Sequence, residues 1–221
     1  MSNRQAEGIS FMREGKYEEA AQAFTEAIEE NPKDATGYIN MANLLSVLGD
    51  RERALVFFDR AIELDEGAGA AYYGAGTVYY EEERYEEATK MFKLALTHQL
   101  DEADLYFMLG MSYYQLGSLG HAAANLGRAH EMNESDVDAC FQYGLALAQL
   151  EELEEARVLF EKTIGLDEGH ADAHYNLGVA LVAAEKVEEA LESFTHALRL
   201  QPDHLLAGNG KRLLEDALNK G

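Results

Sequence analysis

The sequence has no tryptophan, one cysteine, two prolines and fewer than half as many basic as acidic side chains. Cys140 has no partner for an intramolecular disulfide, which points to a reducing compartment. Two prolines in 221 residues leave long stretches free for helix. Heavy use of Ala, Leu and Glu points the same way, because these residues lose little freedom in a helical backbone. No apolar run approaches the ~20 residues that a bilayer crossing needs. The segment from Met1 to Gln5 is polar, with no apolar stretch ahead of a cleavage site, so a cytoplasmic chain is expected. The formal charge of −23 repels phosphate backbones and anionic lipid heads. Nucleic acid and membrane surfaces are therefore not expected partners, and a charged partner would be basic. The same acids on outward helix faces also confer solubility.

What the chain does contain is a repeat. Length alone allows one or two globular domains, and a hydrophobic content of 47% is ample for a core. Stepping by 34 residues from Ala20 meets Ala54, Ala88, Ala122, Ala156 and Ala190. The same step from Phe24 meets Phe58, Phe92, Leu126, Phe160 and Phe194. From Gly8 it meets Ala42, Gly76, Gly110, Gly144 and Gly178, and from Ala27 it meets Ala61, Ala95, Ala129, Thr163 and Ala197. Six units fit without an insertion: 1–34, 35–68, 69–102, 103–136, 137–170 and 171–204. Repeat positions below run from 1 to 34, starting at Met1.

Small residues at positions 8, 20 and 27 let two helices approach where they cross. Glycine inside a helix costs roughly 1 kcal/mol against alanine, so five of them at one phase need a packing reason. The large residue at position 24 is the expected plug beside them. Gly15, Gly49 and Gly117 fall where a left-handed cap would end a first helix. Glu83, Glu151 and Glu185 stand there in the other repeats, where a different cap is expected. Pro32 and Pro202 follow second helices, which a proline cannot continue. Each unit reads as helix, turn, helix, turn. Leu205, Leu206, Leu213, Leu214 and Leu218 have helical spacing opposite Lys211, Arg212, Glu215 and Asp216, so 205–221 reads as a capping helix and tail, with Gly208 and Gly210 weakening its start.

Tyr175, Asn176, Leu177 and Gly178, followed by Ala190, Phe194, Ala197 and Pro202, resemble the tetratricopeptide repeat pattern. The resemblance covers 204 of 221 residues. The runs 38–46 and 71–76 also resemble a small stand-alone bacterial member of that family. The family's frequent tryptophan at position 4 is replaced here by Arg4, Tyr38, Tyr72, Tyr106, Cys140 and His174. The resemblance implies an all-α, right-handed solenoid of helical hairpins that binds proteins or peptides without catalysis. It also implies that positions 2, 5, 6, 9, 12 and 13 of the first helices line a concave groove.

On that assignment the groove presents Ile39, Tyr73, Phe107, Phe141 and Tyr175 at position 5, with Tyr80 and Tyr114 at position 12. Met108 and Met111 stand at positions 6 and 9. Aromatic rings give contact area at low entropic cost and Met adapts to irregular partners, though the same rings also suit packing between neighbouring helices. Asn40, Asn43 and Asn176 either pair with an extended peptide backbone or simply keep the groove wet. No Lys or Arg occupies positions 2, 5 or 6, so the family's clamp for a chaperone's carboxylate tail is not expected. Asp104, Asp138 and Asp172 at position 2, and Glu102 and Asp136 at position 34, favour a helix N-terminus and would suit a basic ligand with apolar anchors.

No cofactor or catalytic constellation is expected. His170 and His174 are four residues apart, but no third metal ligand and no HExxH glutamate accompanies them. Gly74 and Gly76 fall in mid-helix, not between a strand and a helix, and Cys140 suits a core position. The expected function is a monomeric adaptor or scaffold that captures a protein or peptide in the groove. The alternative is a structural protein that associates with itself through its convex face or its ends.

Overall fold

The computed structural model describes residues 3–219; Met1, Ser2, Lys220 and Gly221, the outermost residues of the first repeat and of the tail, lie outside the described residues. The described residues form thirteen α-helices and no strand. The first helices of the hairpins are α1 (Asn3–Arg13), α3 (Ala35–Val47), α5 (Gly69–Glu81), α7 (Ala103–Gln115), α9 (Val137–Gln149) and α11 (Ala171–Ala183). The second helices are α2 (Tyr17–Glu30), α4 (Arg51–Leu64), α6 (Tyr85–Thr97), α8 (Leu119–Met132), α10 (Leu153–Leu166) and α12 (Val187–Leu200). The last helix, α13 (Leu205–Leu218), starts 34 residues after α11 and so keeps the phase of a first helix.

The chain divides into two compact units, Met1–Ser112 and Tyr113–Gly221, whose boundary lies inside α7. In the first unit α1/α2, α3/α4 and α5/α6 pack as hairpins, and α1, α3 and α5 also lie side by side. In the second unit α9/α10 and α11/α12 form hairpins, α8 packs on α9, and α13 packs on α12 and α11.

The repeating small and large residues meet as their spacing requires. Phe24, Phe58, Phe92, Phe160 and Phe194 are all buried, as are Ala20, Ala54, Ala88, Ala156 and Ala190. A Cβ on Gly76 would come within 2.6 Å of the Phe92 ring, and one on Gly144 within 2.9 Å of Phe160. The ring fills the volume the glycine leaves empty, and each such burial contributes about 1.5–3 kcal/mol. The second repeat solves the problem differently. It has Ala42 at position 8, and the tip of Phe58 presses on Gly74 of the following first helix.

Turn chemistry departs from the sequence expectation at three places. Gly15, Gly49 and Gly117 have φ of +73°, +78° and +69°, as a left-handed cap requires. Glu83, Glu151 and Glu185 adopt the same conformation, with φ of +60°, +64° and +60°. They make the same bonds: Lys16 N donates to Phe11 O at 2.9 Å, and Arg84 N to Tyr79 O at 2.9 Å. The bonds of the turn outweigh the steric cost of a side chain, so no alternative cap is needed. Gln99 (φ +65°) ends α6 in the same way, leaving that helix with 13 residues where every other second helix has 14.

Position 34 caps the next first helix in four places. Asp34 accepts from Thr36 N at 3.0 Å and Asp136 from Ala139 N at 3.0 Å. Nδ1 of His170 accepts from Ala173 N at 3.1 Å, and Nδ1 of His204 from Ala207 N at 3.2 Å. Each bond satisfies a donor that the helix itself leaves orphaned. The last helix departs from an amphipathic cap with its leucines turned inward. Only Ala207 is buried on α13, Leu214 is packed against the terminal core, and Leu205, Leu206, Leu213 and Leu218 are exposed. The helix begins at Leu205 despite Gly208 and Gly210, and Gly210 admits the Phe194 ring, 2.9 Å from where its Cβ would be.

Candidate functional site

In the first unit, Ile39, Asn40, Tyr73, Tyr80, Phe107, Met108 and Met111 are all half-buried, and Asn43 is exposed. They rise from α3, α5 and α7 at phases that the core leaves uncovered. The Tyr73 ring leans on Phe92 at 5.8 Å and the Tyr80 ring meets Tyr85 edge-on at 5.4 Å, so both are held in place from behind. Burial pushes the Tyr73 phenol above its ordinary value, and the carboxylates of Asp104 and Glu102 push it further. Those two acids are exposed, which gives this face a negative edge. Glu81 is engaged with Arg51 at 3.1 Å. The side-chain nitrogen of Asn40 is out of solvent and has no acceptor.

In the second unit the assigned residues differ among themselves. Tyr114 is half-buried and its hydroxyl accepts from Gln149. Tyr175 is half-buried against Phe194 at 5.9 Å and His204 at 5.1 Å. Phe141 is only 8% exposed, packed between Phe160 at 6.0 Å and His170 at 4.3 Å, so it offers little surface. Asn176 spends a donor on Asp172 O of its own helix, at 2.8 Å. The Asp172 carboxylate bonds Nε2 of His204 at 3.1 Å.

His170 and His174 do not converge. The first caps α11, and the second stacks on His196 at 5.4 Å with 15° between the planes. Among the described residues no group of three His, Cys, Asp or Glu side chains is placed to hold a metal, and no helix is long and apolar enough to cross a membrane. Cys140 is buried, its Sγ donates to Leu159 O at 3.4 Å, and burial pushes the thiol pKa up.

Sequence reasoning missed one patch. Val179 and Val182 of α11 and Leu206 and Leu213 of α13 are exposed, and they occupy positions 9, 12, 2 and 9. These are the phases already assigned to the groove. Continuing the 34-residue count past His204 places Leu206 and Leu213 at these phases, where the capping-helix reading assigns them no groove role.

Models described as tetratricopeptide repeat match residues 11–74, 69–98, 107–170 and 171–204. The crystal structure of YrrB, described as a TPR protein with an unusual peptide-binding site, superposes with a TM-score of 0.83. It is 48% identical, over 87% of this chain and 99% of that one. Over a shorter stretch of 41 residues, 19% of this chain and 20% of YrrB from Bacillus subtilis, identity is 63%. Hsp70-Hsp90 organizing protein 1 of Glycine max is 32% identical over 98 residues, 44% of this chain. That match spans only 17% of the soybean protein. The 34-residue phase, the glycine–phenylalanine contacts and the extent of the YrrB match agree: this chain belongs to the tetratricopeptide repeat family.

Proposed function

We propose that this chain is a non-enzymatic adaptor that holds a peptide or protein segment on the faces of its first helices. The single observation that carries this reading is the set Tyr73, Tyr80, Phe107, Met108 and Met111. These apolar side chains remain partly in solvent, although each repeat has buried its own large plug at position 24, a phenylalanine in five repeats and Leu126 in the fourth. A face fixed by packing from behind loses little freedom when it binds. YrrB, described as having a peptide-binding site, supports the same use here. Family members mediate protein–protein interactions, as the name of the organizing protein says of that relative. The acids beside Tyr73 and the absence of Lys and Arg at positions 2, 5 and 6 favour a ligand with basic groups over a carboxylate tail. A free, buried thiol suits a reducing, cytoplasmic setting.

The test is affinity capture from lysate with mass spectrometry, comparing wild type with Tyr73→Glu and Phe107→Glu. Partners retained by wild type should be lost from both variants, while far-ultraviolet circular dichroism stays unchanged. Equal retention by folded variants would remove the face from the reading. Light scattering across concentration should give a monomer.

A further inference from the structure

We propose that α11 and α13 form an aliphatic subsite that takes a branched aliphatic side chain from a partner peptide carrying Lys or Arg on both sides of it. Val179, Val182, Phe194, Gly210, Leu213 and Leu214 line an open cavity of about 200 Å³. That is below the roughly 300–1,000 Å³ of small-molecule sites, and none of the six carries a side-chain hydrogen-bonding group. The cavity therefore suits one or two aliphatic side chains and not a polar ligand or an organic cofactor.

Its mouth is apolar as well. Of the lining residues, Val179, Val182 and Leu213 are 41%, 40% and 63% exposed, and Leu206, on the same face of α13 as Leu213, is 58% exposed. Exposed apolar side chains gathered around one recess suit an apolar side chain of a partner.

The charges around it select the occupant. On α11, Asp172, Tyr175, Val179 and Val182 are spaced by three, four and three residues, so they share a face. On α13, Leu206, Asn209, Leu213 and Asp216 repeat that spacing. An exposed carboxylate thus stands at the head of one strip and another at the foot of its neighbour, with only aliphatic and neutral groups between them. Asp172 is tied to the start of α13 through His204, which fixes the acidic end against the leucines. On α13 Lys211 falls on another side of the helix and is occupied with Glu215 at 3.7 Å, whereas Arg212 stands one turn before Asp216, at the edge of the strip. None of the eight strip residues is Lys or Arg, so a basic flank meets attraction at Asp172 and, reduced by the neighbouring Arg212, at Asp216, in both cases weakened by salt.

This inference rests on the reading that the first-helix faces hold peptides, and the test separates the two. A random peptide library displayed on phage is selected against wild type, Leu213→Glu, Asp172→Asn with Asp216→Asn, and Tyr73→Glu. Wild type should enrich sequences with an aliphatic residue flanked by Lys or Arg. Leu213→Glu should lose that aliphatic preference and bind the selected peptide about ten- to a hundredfold more weakly. The double Asp variant should keep the aliphatic residue and lose the basic flanks. If the same consensus persists in Leu213→Glu and vanishes only in Tyr73→Glu, the subsite is refuted and the broader reading stands. No enriched sequence from any folded protein overturns both. A wild-type dimer that Leu213→Glu converts to monomer assigns the patch to a second copy of the chain and refutes the proposal.

Discussion

A Cβ on Gly178 would stand 2.6 Å from Cε1 of Phe194, inside the van der Waals surface of a ring that is itself buried. The ring cannot swing away as a flexible chain end would. Gly178→Ala should therefore lower stability by about 1–3 kcal/mol, although alanine is the better helix former by roughly 1 kcal/mol. Urea unfolding measures the change. A gain in stability would mean that the ring has room to move and that this glycine is a matter of propensity alone.

The second repeat provides a test of coupling. Gly74→Ala should be destabilising on its own, because the new methyl overlaps the Phe58 ring. By the phase of the other repeats Ala42 lies where a glycine would otherwise receive that ring. Adding Ala42→Gly opens this alternative space, so the double variant should recover part of the loss, with an interaction of about 0.5–1 kcal/mol or more. Strict additivity of the two single effects would show that Phe58 has one seat only.

Glu83, Glu151 and Glu185 hold left-handed backbone with a side chain attached, at a cost of roughly 1–2 kcal/mol each. Glycine relieves that cost but gives back part of it as freedom in the unfolded chain. Each Glu→Gly change should therefore raise stability by about 0.5 kcal/mol. Removing a carboxylate from a chain of net charge −23 acts in the same direction, so Glu→Ala serves as the control. Glycine exceeding alanine at all three positions is expected. Equal effects would assign the gain to charge.

The helical hairpins were legible because their cause is local and repeated: a small residue and an aromatic plug at a fixed phase can be counted without a structure. The three glutamate caps were not, because residue type forbids less than turn bonding compels. Nor did phase separate support from surface. Phe107 and Phe141 occupy the same position 5, yet Phe107 remains partly in solvent, whereas Phe141 is closed in by Phe160 and His170. The aliphatic patch was hidden by reading α13 as an end piece. Its leucines follow the groove phase of a seventh first helix.

His174 gives a pH dependence whose sign can be worked out. Burial is the main cause that holds its imidazole below the ordinary 6.5, and the neighbouring His196 and His170 act in the same direction against a raising contribution from the Glu168 backbone. The recess it shares with His196 also contains Glu161, Glu189 and Glu192. Above 6.5 the imidazole is neutral in both states and its contribution to stability is complete. As pH falls through 6.5 the unfolded chain takes up a proton that the folded chain resists, and stability declines until the lower folded value is passed. His130 acts in the same direction, lowered by burial and by Lys162, whose Nζ lies 3.0 Å from Nε2. Acidification also relieves repulsion among the excess carboxylates, which opposes this trend, so the informative quantity is a difference. His174→Phe keeps a ring to stack on His196 and removes the proton site. Urea midpoints measured about one unit above and one unit below pH 6.5 should therefore fall less on acidification in the variant than in wild type. Equal falls in the two proteins would show that protonation of His174 is not resisted by the fold.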